Sequence, residues 1–205
     1  MAAYVFDCSF LGPAGLSQFY APAQTNKGGL QAVLDHLHQD GEWNSLSEIA
    51  YLLATIKWET MNTFAPIHEM GSLSYFDKYE PGTEIGDRLG NTAAGDGFLY
   101  RGRGYVQITG RENYTHIGSL LGVGLVNNPD LALDPNTAYK IAADGMRHGW
   151  FTGRRLSQYM QANGSPDYIN ARRIINGLDH AADISALAQR FARMLTPPVA
   201  VLSQA

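Results

Sequence analysis

At 205 residues, with 45% hydrophobic and 17% charged content, the chain has the size and composition of one globular domain, or one domain with a small subdomain, able to bury a real core. A net charge of -4 gives no bulk attraction to an anionic polymer, so composition points away from nucleic acid. The single cysteine, Cys8, makes no intramolecular disulfide, no Cys/His spacing resembles a zinc site, and no stretch approaches the roughly 18 uninterrupted apolar residues of a membrane span.

Residues 1–24 are rich in small and apolar types. They contain Asp7, no basic residue before Lys27 and a Gly12-Pro13 break, which makes a poor secretory signal. The expectation is synthesis in the cytoplasm, with action elsewhere depending on a separate release step. Residues 1–27 also lack sustained periodicity and read as an extended arm, pinned by Tyr4, Phe6, Phe10, Leu11 and Phe19.

From Gly29 to Gln39 the spacing of Leu30, Val33, Leu34 and Leu37 marks a short amphipathic helix closed by Gly41. The next helix is the best specified. Ser45 and Glu48 form a capping box, and Ile49, Leu52, Leu53 and Ile56 make a stripe that ends at Glu59. Asn62, Pro66 and Gly71 then break the helix, so Glu59 and Glu69 do not share one continuous helix.

Residues 71–99 are loop-like and glycine-rich, with a short strand expected near Ser74–Tyr79. The segment Tyr100–Gly110 surrounds an alternating Tyr105 to Thr109 with three glycines, a density that lets backbone approach backbone or ligand. In this reading Gln107 and Thr109 point from one strand face while Val106 and Ile108 face the core. Arg101 and Arg103 brace the loop by pairing with acids such as Asp87 or Asp96.

Helices follow at Glu112–Leu121, from Asp134-Pro135 to about Gly149, at Gly153–Gln161, at Tyr168–Ile175 and at Ala181–Leu195. Pro197-Pro198 ends the last. The architecture is mainly α, roughly six or seven helices with a small β element in the glycine-rich middle. His116, His148 and His180 are each isolated and read as satisfied or solvated side chains.

Glycosidic cleavage needs two acids in different surroundings, one holding a proton and one ionised. Burial raises a carboxyl pKa, so Glu59, at the end of an apolar stripe beside Trp58, is the better general acid. Glu69, in a polar loop next to His68, is the better base. Tyr75, Phe76, Tyr79, Tyr100 and Tyr105 offer ring faces for sugars, with core packing the commoner role for any single one.

Three segments now carry a resemblance: IAYLLATIKWETMNTFAPIHE from Ile49, YRGRGYVQITGRENY from Tyr100 and RRIING from Arg172. They resemble the motifs of the family 19 glycoside hydrolases, the chitinases and related phage endolysins. NNPDLALDP from Asn127 and GWFTGRRLS from Gly149 are most similar to the endolysin branch.

The resemblance implies a lysozyme-like, two-lobed helical (α+β) domain over residues 28–195, with a deep substrate cleft, flanked by the arm at 1–27 and a tail at 196–205. It implies hydrolysis of β-1,4-linked N-acetylhexosamine polymers with inversion, and a monomer without cofactor or metal is expected. Glu59 matches the family's general acid and Glu69 the residue that activates water. Thr109 falls where a hydroxyl helps hold that water. Gln107 and Asn113 match substrate-contacting positions, Asn176 matches an asparagine lining the cleft, and Arg190 approaches a basic position on the last helix; Tyr105 joins the expected substrate-binding set through its ring. Trp58 stands where the family commonly has histidine.

The leading expectation is an endolysin that cuts peptidoglycan glycan strands and lyses cells. A chitinase or secreted wall-degrading effector shares the chemistry, and a non-catalytic glycan-binding protein is the alternative of another class. Peptidoglycan or a chitin oligomer is the expected partner, without nucleic acid or stable membrane insertion.

Overall fold

The computed structural model describes residues 5–6, 27–43, 45–160 and 165–196. In chain order these form β1 (Val5–Phe6), α1 (Lys27–Gln39), α2 (Leu46–Glu59), β2 (Ile67–His68), α3 (Glu84–Arg88) and α4 (Asp96–Leu99). They continue with β3 (Arg103–Gly104), α5 (Arg111–Leu121), α6 (Pro135–His148), α7 (Tyr168–Ala171), α8 (Ala181–Met194) and β4 (Leu195–Thr196). Short 3-10 turns at Leu73–Tyr79, Pro129–Leu133, Leu156–Gln158 and Arg172–Ile174 fill several connections. The structure is mainly helical, as the sequence predicts. The expected arm lies outside the described residues apart from Val5–Phe6 and Lys27.

The chain divides into two compact units, one from the residues up to Phe64 together with those from Ala143 onward, the other Ala65–Ala142. The first is built on α2. Its capping serine is in place: the Glu48 amide donates to Ser45 Oγ at 3.2 Å. From Ile49 to Ile56 every residue is buried, because α2 packs along α8, whose Ile184, Ala188 and Phe191 are fully covered. Tyr51 stacks on Tyr168 of α7 at 6.0 Å between centroids, and Phe64 meets Phe191 edge-on. β1 and β4 pair antiparallel, Val5 with Thr196 and Phe6 with Leu195. Where a helix was expected over Gly153–Gln161, the described residues form only the 3-10 turn at Leu156–Gln158, Gln161 lying outside them.

The end of α2 is a tight reversal. Met61, Asn62 and Phe64 all take left-handed φ, at 51°, 66° and 51°, a conformation costing a non-glycine residue about 1 kcal/mol or more. Hydrogen bonds over-determine the turn. The Thr60 hydroxyl donates to the Ile56 carbonyl and accepts from the Phe64 amide, and the Asn62 amide donates to the Lys57 carbonyl. The break predicted from Asn62 and Pro66 is thus real, and it stops α2 at Glu59.

In the second unit the core is aromatic: Phe76, Tyr100, Tyr105 and Tyr114 are nearly inaccessible. The strand expected at Ser74–Tyr79 is a 3-10 helix, Leu73–Tyr79, opened by Ser72, whose Oγ accepts from the Tyr75 amide. That winding turns Phe76 inward against Tyr75 and Phe98. The strand expected through Gln107 and Thr109 is also shorter. Only β3 pairs, with β2. Positive φ at Gly104 and Gln107 then reverses the chain, and Ile108 bridges back to Arg103. Val106 and Ile108 are buried as predicted.

The arginine pairing differs from expectation. Arg103, 3% exposed, donates to Asp130 at 2.8 Å and to Tyr114 Oη and the Leu99 and Arg101 carbonyls. Asp96 pairs instead with Arg111 through two bonds, whose donation holds its carboxyl down at about 2. Asp87 accepts from the Gly82 amide. Among the described residues no helix is long and apolar enough to cross a membrane.

Candidate active site

In the first unit the site residues gather around Glu59. Its Oε1 accepts from the Arg172 guanidinium at 2.6 Å, with Glu59 18% and Arg172 5% side-chain exposed. Arg172 is fixed in turn by donating to the Asp179 carbonyl at 3.0 Å. The apolar surroundings expected for Glu59 are therefore corrected to an ion pair. Helix α2 aims the carboxyl at the turn that follows α7, and a buried cation there is tolerable only beside an acid.

Asn176 is tied to the same turn, its amide donating to the Arg172 carbonyl, while its side chain is exposed and caps the Gly177 amide. Arg190 lies elsewhere in this unit. With Trp58, Asn62, Leu187 and the buried Lys57 it lines a pocket of about 480 Å³. Burial, reinforced by the Arg190 charge, pulls the Lys57 amine down to about 8. Trp58 tilts against the His180 ring at 4.9 Å, and His180 Nδ1 lies 3.5 Å from Asp183. His180 is thus engaged, not isolated.

The second unit holds four predicted residues: Glu69, which has its own donors, and Gln107, Thr109 and Asn113, which are linked to one another. Glu69 enters from β2, its amide donating to the Gly102 carbonyl at 2.8 Å. Its Oε1 accepts from Tyr79 Oη at 2.9 Å and its Oε2 from the Gly102 amide at 3.1 Å. Gln107 Nε2 donates to the Ile67 and Gly104 carbonyls. The Thr109 hydroxyl donates to the Gln107 carbonyl at 3.0 Å, and Asn113 Nδ2 to the Thr109 carbonyl at 2.7 Å.

Gly102 matters because of close approach. A Cβ there would stand 2.9 Å from Gln107 Oε1 and 3.1 Å from Glu69 Cβ, so glycine lets this amide reach the carboxylate without displacing either side chain. Tyr105 is corrected. At 1% exposure, with burial pushing its phenol up to about 12, it packs in the core and presents no ring to a sugar. Phe76 and Tyr100 are equally covered, whereas Tyr75 is 44% exposed.

Two participants escaped the sequence reading. Arg172 was legible only as part of the RRIING motif, without a partner. Tyr79 was grouped with the candidate stacking aromatics, and nothing in its local sequence signals a bond to Glu69. For metals, Glu42, Asp144 and His148 bring ligand atoms within 4.8 Å of one another. Both acids already bond Arg147, which meets their charge without an ion.

Comparison with known proteins follows the same residues. The chitinase class I model of glycoside hydrolase family 19 matches residues 38–155, a span that contains Glu59, Glu69, Gln107, Thr109 and Asn113. The acidic 27 kDa endochitinase of Solanum lycopersicum is 39% identical over 95 residues, 40% of this chain and 38% of that protein. Acidic endochitinase Q of Nicotiana tabacum is 50% identical over 44 residues, 21% of this chain and 17% of that protein. The alignments thus span less than two fifths of either relative's length.

Among solved structures, a bacterial family 19 chitinase superposes over 90% of this chain and 94% of its own, with TM-score 0.47 and 20% identity. Chitinase C of Streptomyces griseus does so over 87% and 92%, with TM-score 0.49 and 19% identity. Because the family model matches more than half of the residues, the chain belongs to glycoside hydrolase family 19.

Proposed function

We propose that this protein hydrolyses the β-1,4 bonds of N-acetylhexosamine polymers, chitin foremost, by general acid/base catalysis with inversion. The observation that supports this reading is the Glu69 arrangement, a carboxylate held by two donors, Tyr79 Oη and the Gly102 amide, inside the span matched by the chitinase class I model, which also contains the linked Gln107, Thr109 and Asn113. The substrate preference follows the endochitinases of tomato and tobacco that the chain resembles.

In this mechanism Glu59 gives its proton to the leaving oxygen as the bond to the anomeric carbon breaks. The Arg172 bond engages Oε1, so Oε2 is the atom that carries and delivers the proton. A water attacks the opposite face of the sugar and passes its proton to Glu69. Thr109 spends its own hydrogen on the Gln107 carbonyl, which leaves its oxygen to accept a hydrogen from that water. Gln107 and Asn113 brace the turn that presents Thr109. Asn176 and Arg190 offer polar groups to the glycan on the Glu59 side.

A second substrate, the glycan strand of peptidoglycan, is supported by the segments from Asn127 and Gly149 that resemble the endolysin branch. In that reading the protein works as an endolysin on the cell wall. The test incubates the protein with chitin and with purified peptidoglycan, identifies the new reducing-end sugar, and follows the first-formed anomer by NMR. Chitin fragments released first as the α-anomer support the main reading, and cleavage of peptidoglycan alone supports the second. A β-anomer would reject inversion, and binding without cleavage would make the protein a glycan-binding module.

A further inference from the structure

We propose that Tyr79 is a positioning residue for Glu69, its phenol hydroxyl locking one carboxylate oxygen so that the other lone pairs face the attacking water. The inference rests on the proposed role of Glu69 as the base.

The geometry is specific. Tyr79 closes the 3-10 helix Leu73–Tyr79 and its Oη reaches Glu69 Oε1 at 2.9 Å, while the Gly102 amide takes Oε2. Each oxygen thus gives one lone pair to a fixed neutral donor and keeps one. A carboxylate on a loop has two free torsions beyond Cβ, and these bonds remove them before substrate arrives, which is where positioning gains rate. The ring that carries the hydroxyl is itself held, 6.2 Å from Phe76 and with the Lys78 ammonium 4.6 Å from its centroid.

Tyr79 keeps its proton while it does this. Burial pushes its phenol up, and donation to Glu69 adds to the effect, with Lys78 opposing. The proton that moves during turnover is the water's, which ends on Glu69 while the hydroxide oxygen bonds the anomeric carbon. The other charged and titratable groups around Glu69 are Arg101, whose charge interacts with it, and His68, whose Nδ1 lies 3.3 Å from Arg101. Among the described residues the carboxylate accepts from the Tyr79 hydroxyl and the Gly102 amide and from neither of these groups, so the hydroxyl and the amide orient it.

The experiment is Tyr79→Phe in the full chain, which keeps the ring and removes only the donor. Against a glycan that the wild type cleaves, kcat should fall roughly tenfold, the equivalent of one charge-assisted hydrogen bond, with KM unchanged. Thermal stability should stay at the wild-type value.

A variant with wild-type kcat overturns the proposal, and so does one whose loss falls in KM instead of kcat. A fall in kcat that tracks a fall in Tm overturns it too, since that would make the hydroxyl a packing element. A wild type that cleaves no glycan removes the proposed function and this role with it, whereas an active wild type with an indifferent Tyr79→Phe removes only the role of Tyr79.

Discussion

The two candidate catalytic carboxylates are held in opposite ways. Glu59 leaves the end of a fully packed helix and meets a cation, Arg172, at 2.6 Å. Glu69 sits in irregular backbone and meets only neutral donors, a phenol and a main-chain amide. A buried guanidinium needs its acid as much as the acid needs it, so the Glu59 pair is a structural commitment as well as a chemical one. Neutral donors impose no such debt. The Glu69 side can therefore be retuned one bond at a time, and the Glu59 side cannot.

The largest effect expected from breaking this contrast is on turnover. Glu59→Gln keeps the shape and can still accept from Arg172, but has no proton to give; activity should fall on the order of a thousandfold with the fold intact. Turnover within tenfold of wild type, measured on whichever glycan the protein cleaves, would remove Glu59 as the acid. Next in size is Arg172→Met. It strands a mostly buried acid and should cost about 3 kcal/mol in urea unfolding, whereas Tyr79→Phe should cost far less. Equal losses in the two variants would erase the distinction between the sites.

What could be read from the sequence followed the range of the interaction. The Ser45 cap, the Ile49–Ile56 stripe and the stop at Asn62 are local, and each appears in the structure where the residues predict it. Arg172 lies 113 residues from Glu59, and no periodicity in either segment encodes their meeting. Tyr79 is ten residues from Glu69, yet the bond exists only because Leu73–Tyr79 winds as a 3-10 helix; its aromatic residues Tyr75, Phe76 and Tyr79 are of a type that favours strands. Gln107 was misread for a related reason. Its left-handed φ is rare for a non-glycine residue, and a pattern rule assigns the commoner extended state.

The ion pair of the first unit has a neighbour that sharpens the same point by pH. Lys57 is 2% exposed, its amine lowered from 10.5 to about 8 by burial and then by Arg190. Asp183 also lines that pocket. Below pH 8 folded and unfolded chains both carry the proton, and the fold bears the full cost of the buried ammonium. Between 8 and 10.5 the unfolded chain binds more protons, so stability rises with pH. Up to pH 9.5, before tyrosines begin to titrate, the gain should reach about 2 kcal/mol relative to Lys57→Met, which lacks the amine. A difference between the two proteins that stays flat from pH 7 to 9.5 would show that this amine is not buried in its charged form.

The smallest expected effect is steric and belongs to the second unit. In Gly102→Ala the new methyl would meet Gln107 Oε1 and Glu69 Cβ, both side-chain atoms, so the site gives by a few tenths of an ångström and stability should drop by about 1 kcal/mol or less. Turnover is more sensitive than stability here, because the same shift lengthens the Gly102 bond to Oε2 and turns the carboxylate; roughly a fivefold to tenfold loss in kcat is expected. Combining Gly102→Ala with Tyr79→Phe tests whether the two donors hold one carboxylate. Two bonds to a single group are not independent, so the double variant should lose less than the product of the single losses, and strictly multiplicative losses would mean that each acts on something other than Glu69.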